Sequence, residues 1–365
     1  MELKIKDITR YLESLAPLSS QESYDNSGLL VGDSSQKVKG ILLTLDCTED
    51  IVEEAIRKNL NLIVAHHPIV FKGLKKINGK NYVERTVIKA IKNDVAIYAI
   101  HTNLDNYRWG VNFEIGKRIG LKNMSVLQPK VNTLKKLIVF CPSEDKDKVL
   151  KAMFGAGAGN IGNYSACSFE TEGTGAFLPE EHANPAKGSI GKRESVDEMR
   201  LEVIFSHAES AIIEAMKSAH PYEEPAYDIV PLGNENAYEG SGMIGELEKP
   251  VETRTFLSDL KKTFGCGVIR HTSLVNKTIR KVAFCGGSGS FLLPQAKAAG
   301  ADIFITGDFK YHEFFDAEEK IIIADIGHYE SEQFTPHLIH DVLKKKFINF
   351  AVHLSEVNTN PINYF

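Results

Sequence analysis

The chain has 365 residues, enough for two or three domains that each bury a hydrophobic core. Its composition, 43% hydrophobic and 25% charged, is typical of a globular protein, and no apolar run approaches the roughly 20 residues that span a bilayer. A net charge of −5 without a sustained basic stripe argues against general nucleic-acid binding. The five cysteines are scattered, which fits reduced thiols, so we expect a cytoplasmic protein without a membrane span.

Two adjacent histidines, His66 and His67, follow a short apolar run that predicts a buried parallel strand over Leu62 to Val64. Open α/β sheets bind their ligands at the carboxyl ends of the strands, and imidazole is the commonest metal ligand near neutral pH. Neighbouring histidines are also common in loops, so this pair indicates a metal site only together with other residues.

Three more apolar strands are followed at once by side chains that can bind metal. They are Ala96 to Ile100 before His101 and Asp105, Asp302 to Thr306 before Asp308 and His312, and Ile321 to Asp325 before His328 and Glu332. His328 and Glu332 are four residues apart, so a helix that begins near Gly327 places them on one face. A single residue of this kind is more often a helix cap. Four such strand ends together predict one metal site at the carboxyl edge of a sheet.

A weak internal repeat organises the chain. A shift of 241 residues places Leu62 to Val64 on Ile303 to Ile305 and His67 on Asp308. The sequence therefore predicts two similar α/β halves, residues 1–129 and 236–365, whose mostly parallel sheets form one metal-site cleft. Any two strand–helix–strand units look alike, however, so gene duplication and chance similarity both stay open.

The middle segment, residues 130–235, follows a different pattern. Its elements read β–α–β–β–α–β, with helices over Lys146 to Phe154 and Ala208 to Ala219, which predicts an inserted ferredoxin-like α+β domain. The run Gly155 to Gly159 lacks the Lys-Ser/Thr ending of a P-loop, so a helix stop is favoured over a phosphate cradle. His220 to Pro225 could bind metal, but a structural turn beside a partner surface is favoured.

The run Gly286 to Ser290 comes after a predicted strand and opens a predicted helix. It could receive a phosphate at the helix N-terminus, or it could form a tight turn. Asp46, Asp308 and His312 could line the pocket, and Asp308 and His312 could equally be caps and packing residues.

Six motifs resemble, in chain order, those of the GTP cyclohydrolase 1 type 2 homologue family. They are Asp25-Asn26-Ser27-Gly28-Leu29, Ala65-His66-His67-Pro68, His101-Thr102-Asn103-Leu104-Asp105, Thr306-Gly307-Asp308 with His312, His328-Tyr329-x-x-Glu332, and Asn358-Thr359-Asn360-Pro361. The middle segment resembles the PII-like (CutA-like) domain inserted in the long bacterial members. The resemblance covers nearly the whole chain.

The resemblance implies two divalent metal ions per chain. One ion maps onto His67 and Asp105, the other onto His66 and His328, and Glu332 reaches both. Such a mixed imidazole and carboxylate set with open positions suits Fe, Mn, Zn or Ni, and it differs from a structural zinc site.

The resemblance also implies a metal-dependent hydrolase that opens the imidazole ring of GTP or acts on a related nucleotide as its small-molecule substrate. Glu332 would serve the metals, and His101 is the candidate for proton transfer, or else a residue that orients a ligand. The alternative is a metal-containing regulatory, scaffold or metal-handling ring whose PII-like module senses a small molecule, with little catalysis. Members of the family form hexameric rings of dimers, so we expect a homohexamer.

Overall fold

The computed structural model describes residues 2–207 and 209–365. The chain forms two compact units. The larger unit combines the residues up to Pro129 with Tyr238–Phe365, and the smaller unit is Lys130–Ala237. The sequence analysis placed the boundaries after residues 129 and 235. Within the described residues, no helix is both long and apolar enough to cross a membrane.

The helices and strands follow one another along the chain in three segments. The first segment contains α1 (Ile5–Leu15), β1 (Gly28–Val31), β2 (Ile41–Thr44), α2 (Glu49–Arg57), β3 (Leu62–Ala65), α3 (Tyr82–Lys92), β4 (Ala96–Ala99), α4 (Thr102–Asn106), α5 (Val111–Ile119) and β5 (Lys122–Val131). The middle segment contains β6 (Leu134–Pro142), α6 (Lys146–Gly155), β7 (Phe169–Phe177), β8 (Glu194–Phe205), α7 (Glu209–Ala219) and β9 (Tyr227–Leu232). The last contains β10 (Glu235–Glu252), α8 (Thr253–Thr263), β11 (Arg270–His271), β12 (Thr278–Ser288), α9 (Leu293–Ala298), β13 (Ile303–Gly307), β14 (Ile322–Asp325), α10 (His328–Glu332), α11 (Thr335–Lys346) and β15 (Val352–Leu354).

Two sheets organise the larger unit. The first has the strand order β1-β4-β3-β2-β15, with every pair parallel except that of β1 with β4. The second has the order β11-β14-β13-β12-β10-β5, in which β12, β13 and β14 are parallel and β10 and β11 pair antiparallel with their neighbours. Strand β5 comes from the first half of the chain and β15 from the last, so the predicted halves exchange edge strands and form one unit.

The central strands of both sheets are buried on both faces, which is why they read as continuous apolar runs; they are β2, β3, β4, β13 and β14. Ile41 and Leu43 of β2 face a core that the two sheets share with α1, α5, α8 and α11. Leu42, between them, faces a separate core under α2 and α3. The outer face of the second sheet packs on α9 in the same manner.

The internal repeat has a structural counterpart. Ile41 pairs with Leu62 across β2 and β3, and Val282 pairs with Ile303 across β12 and β13, so the shift of 241 residues preserves the register of both strand pairs. The parallel series β2-β3-β4 and β12-β13-β14 end in the same way. Two residues after β4 and two residues after β14, a helix of five residues begins, α4 and α10 respectively. The candidate site residues therefore leave both sheets at equivalent positions.

The smaller unit is a four-stranded antiparallel sheet in the order β7-β8-β6-β9, and the chain runs β–α–β–β–α–β. Residues of α6 and α7 pack on one face of this sheet. The predicted helix from Ala208 to Ala219 corresponds to α7, and Ala208 lies outside the described residues.

The glycine run after α6 is a helix stop, as the sequence favoured. The N–H groups of Gly157 and Ala158 donate to the carbonyls of Phe154 and Met153, and that of Gly159 donates to Ile204. Gly157 has a φ of +109°, which only glycine adopts at little cost. These amides are therefore committed to the chain and do not form a phosphate cradle.

His220 is a structural residue of the turn after α7. Its Nε2 donates to the carbonyl of Phe140 at 2.8 Å, and its Nδ1 accepts from the N–H of Tyr222 at 3.0 Å. Both ring nitrogens are engaged in the neutral state, so neither offers a free ligand atom. Burial is the main cause that lowers the pKa of His220.

We expect His220→Leu to destabilise the protein by about 1–3 kcal/mol at pH 7.5, because two buried backbone groups lose their partner. Since the pKa of His220 is lowered in the fold, its contribution is present above the unfolded pKa near 6.5 and is lost as the pH falls through the folded value. Urea unfolding at pH 7.5 and 5 should therefore give a smaller difference between wild type and variant at pH 5. A constant difference would contradict a titrating His220.

Candidate functional site

The adjacent histidines lie at the carboxyl end of β3, where the backbone continues the parallel ladder for two residues. The N–H of His66 donates to Thr44 O and that of His67 donates to Leu45 O. This pairing fixes both residues against β2 and directs one ring to each side. The ring of His66 is fully buried, and that of His67 borders the cleft.

Four imidazole rings meet at this edge, and each is held through its Nδ1. The Nδ1–H of His66 donates to the carbonyl of Ile100 at 2.8 Å. The other three rings donate to aspartates: His67 to Asp46 at 2.7 Å, His101 to Asp25 at 2.8 Å and His328 to Asp308 at 2.7 Å. A donor at Nδ1 leaves the Nε2 lone pair of a neutral ring for a ligand. Such outer hydrogen bonds are the usual support of metal-binding histidines.

Glu332 lies buried where these rings converge. Its Oε2 is 2.9 Å from Nε2 of His67 and 3.2 Å from Nε2 of His328, and its Oε1 is 3.9 Å from Nε2 of His66. Asp105 Oδ1 lies 3.5 Å from Nε2 of His66. The structure thus brings together all five residues that the sequence analysis assigned to metal.

Three groups of these side chains have ligand atoms close enough to hold a metal ion. One group is His66, Asp105 and Glu332, and another is His67, His328 and Glu332. The family resemblance implied the opposite partners for the two histidines, His67 with Asp105 and His66 with His328. In the structure Nε2 of His66 lies 3.5 Å from Oδ1 of Asp105, and Nε2 of His67 lies 3.3 Å from Nε2 of His328, while the assignment of the two ions stays a prediction.

The third group joins His101 to His66 and His67. The ring centroid of His101 lies 5.3 Å from that of His66 and 5.4 Å from that of His67. His101 therefore borders the cluster, as expected. His312 does not, because it is exposed on the turn after β13 and stacks on Phe315.

Two buried atoms of the cluster have no hydrogen-bond partner, His66 Nε2 and Asp105 Oδ1. Since Nδ1 of His66 already carries the donor proton, the two atoms present lone pairs to each other across 3.5 Å. Buried acceptors without a donor are costly, and a cation between them removes the cost. The donor set therefore fits a divalent metal.

The charges of the cluster support this interpretation. Burial, followed by the nearby Glu332 carboxylate, raises the pKa of Asp105 to about 8. Burial would also raise the pKa of Glu332, but His328 and the other rings hold it well below its usual range. Burial opposes protonation of His67, but its bonds to Asp46 and Glu332 raise its pKa to about 10. Burial thus disfavours the charged form of Asp105, whereas the surrounding imidazole rings favour the charged form of Glu332.

Three aspartates hold the rings, namely Asp25, Asp46 and Asp308. The sequence analysis named them but did not predict this role. Asp25 accepts from His101, and also from the backbone and hydroxyl of Thr102. Asp46 accepts from Thr359, which explains the motif near the end of the chain. Asp308, at a φ of +57°, orients His328. The equivalence of His67 and Asp308 in the repeat was the one sequence signal for this arrangement.

The glycine-rich run after β12 supports close packing. A Cβ on Gly287, whose φ is +60°, would lie 2.4 Å from Oε1 of Glu332. The N–H groups of Gly286, Gly287 and Gly289 donate to Asn112, Ser331 and Thr306, respectively. These amides are occupied within the chain, so the tight-turn interpretation is favoured over the phosphate site.

A cavity of about 440 Å³ opens beside the cluster. His67, His101, Asp105, His328 and Glu332 line its floor. Its rim carries three partly exposed aromatic rings, those of Tyr24, Phe71 and Phe291. A small molecule in this cavity would touch the cluster directly.

The fold and this site define a two-sheet α/β protein with a buried histidine–carboxylate cluster that could hold metal. The sequence model of the family described as Duf34/NIF3 (NGG1p interacting factor 3) matches residues 3–361. The chain belongs to this family. All five cysteines are free, in agreement with reduced thiols.

Relatives in sequence and structure agree with this assignment. The chain is 39% identical to a protein of Halalkalibacterium halodurans named GTP cyclohydrolase 1 type 2 homolog, over 98% of both chains. It is 36% identical to a Staphylococcus aureus protein of the same name, over 99% of this chain and all of that one. It resembles the crystal structure of a Bacillus cereus protein related to NIF3, with a TM-score of 0.87, 37% identity and full coverage of both chains.

We expect Gly287→Ala to weaken zinc binding at least tenfold, because the added methyl group displaces the Glu332 carboxylate. Gly300→Ala is the matched control, since Gly300 has a similar φ of +68° but open space around its Cβ position. Both variants carry a backbone cost of about 1–2 kcal/mol. Zinc titration of the chelator-treated proteins measures the effect, and equal affinities would contradict the close-packing role of Gly287.

Proposed function

We propose that the protein is a metal-dependent hydrolase that holds two divalent cations and acts on GTP or a related nucleotide. The observation that carries the proposal is the convergence of the imidazole Nε2 atoms on the buried Glu332 and the partly buried Asp105 beside a cavity. Glu332, with one oxygen toward His66 and the other toward His67 and His328, is the residue suited to contact both cations.

Divalent cations at such a cluster lower the pKa of a bound water to about 7 and polarise an electrophile. The ligand set of imidazole and carboxylate suits Fe, Mn, Zn or Ni. Asp46 and Asp308 keep His67 and His328 in the tautomer that ligation requires. These residues bind and orient, and none of them is left to act as a base.

His101 is the residue best placed to move a proton. It lines the cavity, and Asp25 holds its Nδ1–H, so its Nε2 is the basic atom. The pKa of Asp25 is held low against burial by its bonds to His101 and Thr102. Asp25 therefore remains a carboxylate and stabilises positive charge on His101, as a positioning residue does in acid–base catalysis.

Two observations support the proposal of a nucleotide substrate. The aromatic rim of the cavity suits a flat ring, since aromatic side chains stack on nucleobases. The relatives carry the name GTP cyclohydrolase 1 type 2 homolog. The corresponding reaction hydrolyses the C8 position of the purine and releases it as formate.

A second function has its own support in the smaller unit. We propose that this unit is a ferredoxin-like, PII-like module, because its strand order β7-β8-β6-β9 and its β–α–β–β–α–β sequence agree with that fold. It contains a cavity of its own, of about 560 Å³. A cavity lined only by residues of the smaller unit supports the alternative of a metal-containing regulator with little catalysis. The hexameric ring stays a prediction.

We expect Glu332→Gln to lose at least one bound metal per chain and to reduce formate release from GTP at least 100-fold. The amide keeps the shape of the side chain but lacks the charge that both groups of ligands share. The assay combines metal analysis after dialysis with chromatography of GTP incubated anaerobically with Fe, Mn or Zn.

Glu114→Gln is the control for a carboxylate outside the cluster, because Glu114 pairs with Arg118 on α5. It should keep metal and activity. The nucleotide substrate would be ruled out if wild-type protein holds two metals per chain but releases neither formate nor phosphate from GTP. That result would favour the regulatory alternative.

We expect Asp25→Asn to keep its metal but to lose about 10²-fold in kcat, because His101 loses the carboxylate that stabilises its charged form. His101→Gln should lower kcat by a similar factor, and the double variant should lose little more than either single variant, because the two residues act as one hydrogen-bonded pair. An Asp25→Asn variant with normal kcat, or two losses that simply add, would assign Asp25 to folding alone.

A further inference from the structure

The cavity of the smaller unit lies on the face of the four-stranded sheet that the helices do not cover. Alternate residues of β6 and β8, such as Val139 and Leu201, face α6 and α7. Their neighbours Phe140, Glu198 and Arg200 face the other way and line the cavity. The loop of residues 178–193 between β7 and β8 forms the opposite wall, which includes Pro179 and Pro185. We call this space the sheet-face cavity.

A buried carboxylate lies in the sheet-face cavity. Glu198 is only 8% exposed. Its Oε1 accepts a hydrogen bond of 2.9 Å from the hydroxyl of Tyr222. Its Oε2 lies beside Gly175, where a Cβ would come within 2.0 Å of it. Among the described residues, no cationic side chain pairs with this carboxylate within 4.0 Å, and Oε2 has no hydrogen-bond donor.

An almost fully buried carboxylate without a cation is unusual, because glutamate is rarely buried unless it is paired. Gly175 of β7 makes room for the carboxylate, because a side chain at this position would collide with it. Burial and the Glu198 carboxylate raise the pKa of Tyr222, so the tyrosine keeps its proton and can only donate. One acceptor oxygen therefore stays available to a ligand.

Much of the remaining lining is apolar, and its charged side chains do not favour an anion. Phe140, Phe177 and the two prolines form the walls, and the ring centroid of Phe177 lies 6.1 Å from that of Tyr222. The two cations of the lining are already paired, Arg200 with Glu202 and Lys187 with Glu144. Three further glutamates line the cavity, namely Glu172, Glu223 and Glu224. The local field therefore favours a cation over a phosphate.

We propose that the sheet-face cavity is a binding site for a small molecule with a flat apolar body and a cationic N–H donor group of the amidine or guanidine type. The donor group pairs with Glu198 Oε2, and the body packs between Phe177, Tyr222 and the prolines of the loop. The cavity volume of about 560 Å³ is within the range of small-molecule sites. The proposal is independent of the metal cluster and of the nucleotide substrate.

Benzamidine is the probe for this site, with benzamide as the neutral analogue of the same shape. Calorimetric titration of the full-length protein should give a dissociation constant below about 1 mM for benzamidine and at least tenfold weaker binding of benzamide. Glu198→Gln should weaken benzamidine binding about tenfold or more, because the charge-assisted hydrogen bond is lost.

Glu214→Gln is the matched control, since Glu214 is exposed on α7 and does not belong to the cavity lining. It should bind benzamidine within about twofold of wild type. Ala183→Leu, on the loop, fills the cavity without touching the carboxylate, and it should also abolish binding if the site is where we place it. Unchanged bound metal and thermal unfolding report that each variant is folded.

Failure of wild-type protein to bind benzamidine would overturn the proposal, and so would equal binding by wild type and Glu198→Gln. Equal binding of benzamide and benzamidine would show that charge plays no part and would overturn the assigned ligand class. None of these results bears on GTP hydrolysis, so the two proposals fail separately.

Discussion

The larger unit depends on the burial of Glu332 among imidazole rings. A carboxylate out of water requires compensating positive charge or strong donors. Here the compensation comes from His67 and His328, or from a cation bound between these rings and the carboxylate. Both rings are held from behind by aspartates. The cluster is therefore a network in which aspartates hold the rings and the rings hold Glu332. Loss of one member leaves a polar group in the network without its partner.

The exchange of edge strands supports this network. Strand β15 from the end of the chain completes the first sheet, and β5 from the first half completes the second. Because Glu332 comes from one half and His66 and His67 from the other, the cluster needs both sheets in place. A shared core of strand and helix residues between the sheets fixes them together. Folding of the unit and assembly of the site are thus one event.

Both units use glycine to bring a carboxylate against a strand. Gly287 leaves room for Glu332 in the larger unit, and Gly175 leaves room for Glu198 in the smaller one. In the first case several imidazoles surround the carboxylate, and in the second only a tyrosine hydroxyl meets it. Because of this difference, the first carboxylate is suited to a metal ion, and we propose an organic cation for the second.

The sequence by itself determined the central strands, the strand ends that carry the candidate ligands and the order of the middle segment. Apolar runs buried on both faces and ligand residues at their ends are local patterns, and local patterns can be read from the chain. Only the tertiary structure decided which histidine faces Asp105, which aspartates orient the rings, and which strands complete each sheet. These outcomes depend on contacts between residues far apart in the chain, such as Thr359 with Asp46, and no local pattern encodes them. The sheet-face cavity belongs to the same class, because it exists only where a loop folds over a glycine-lined strand.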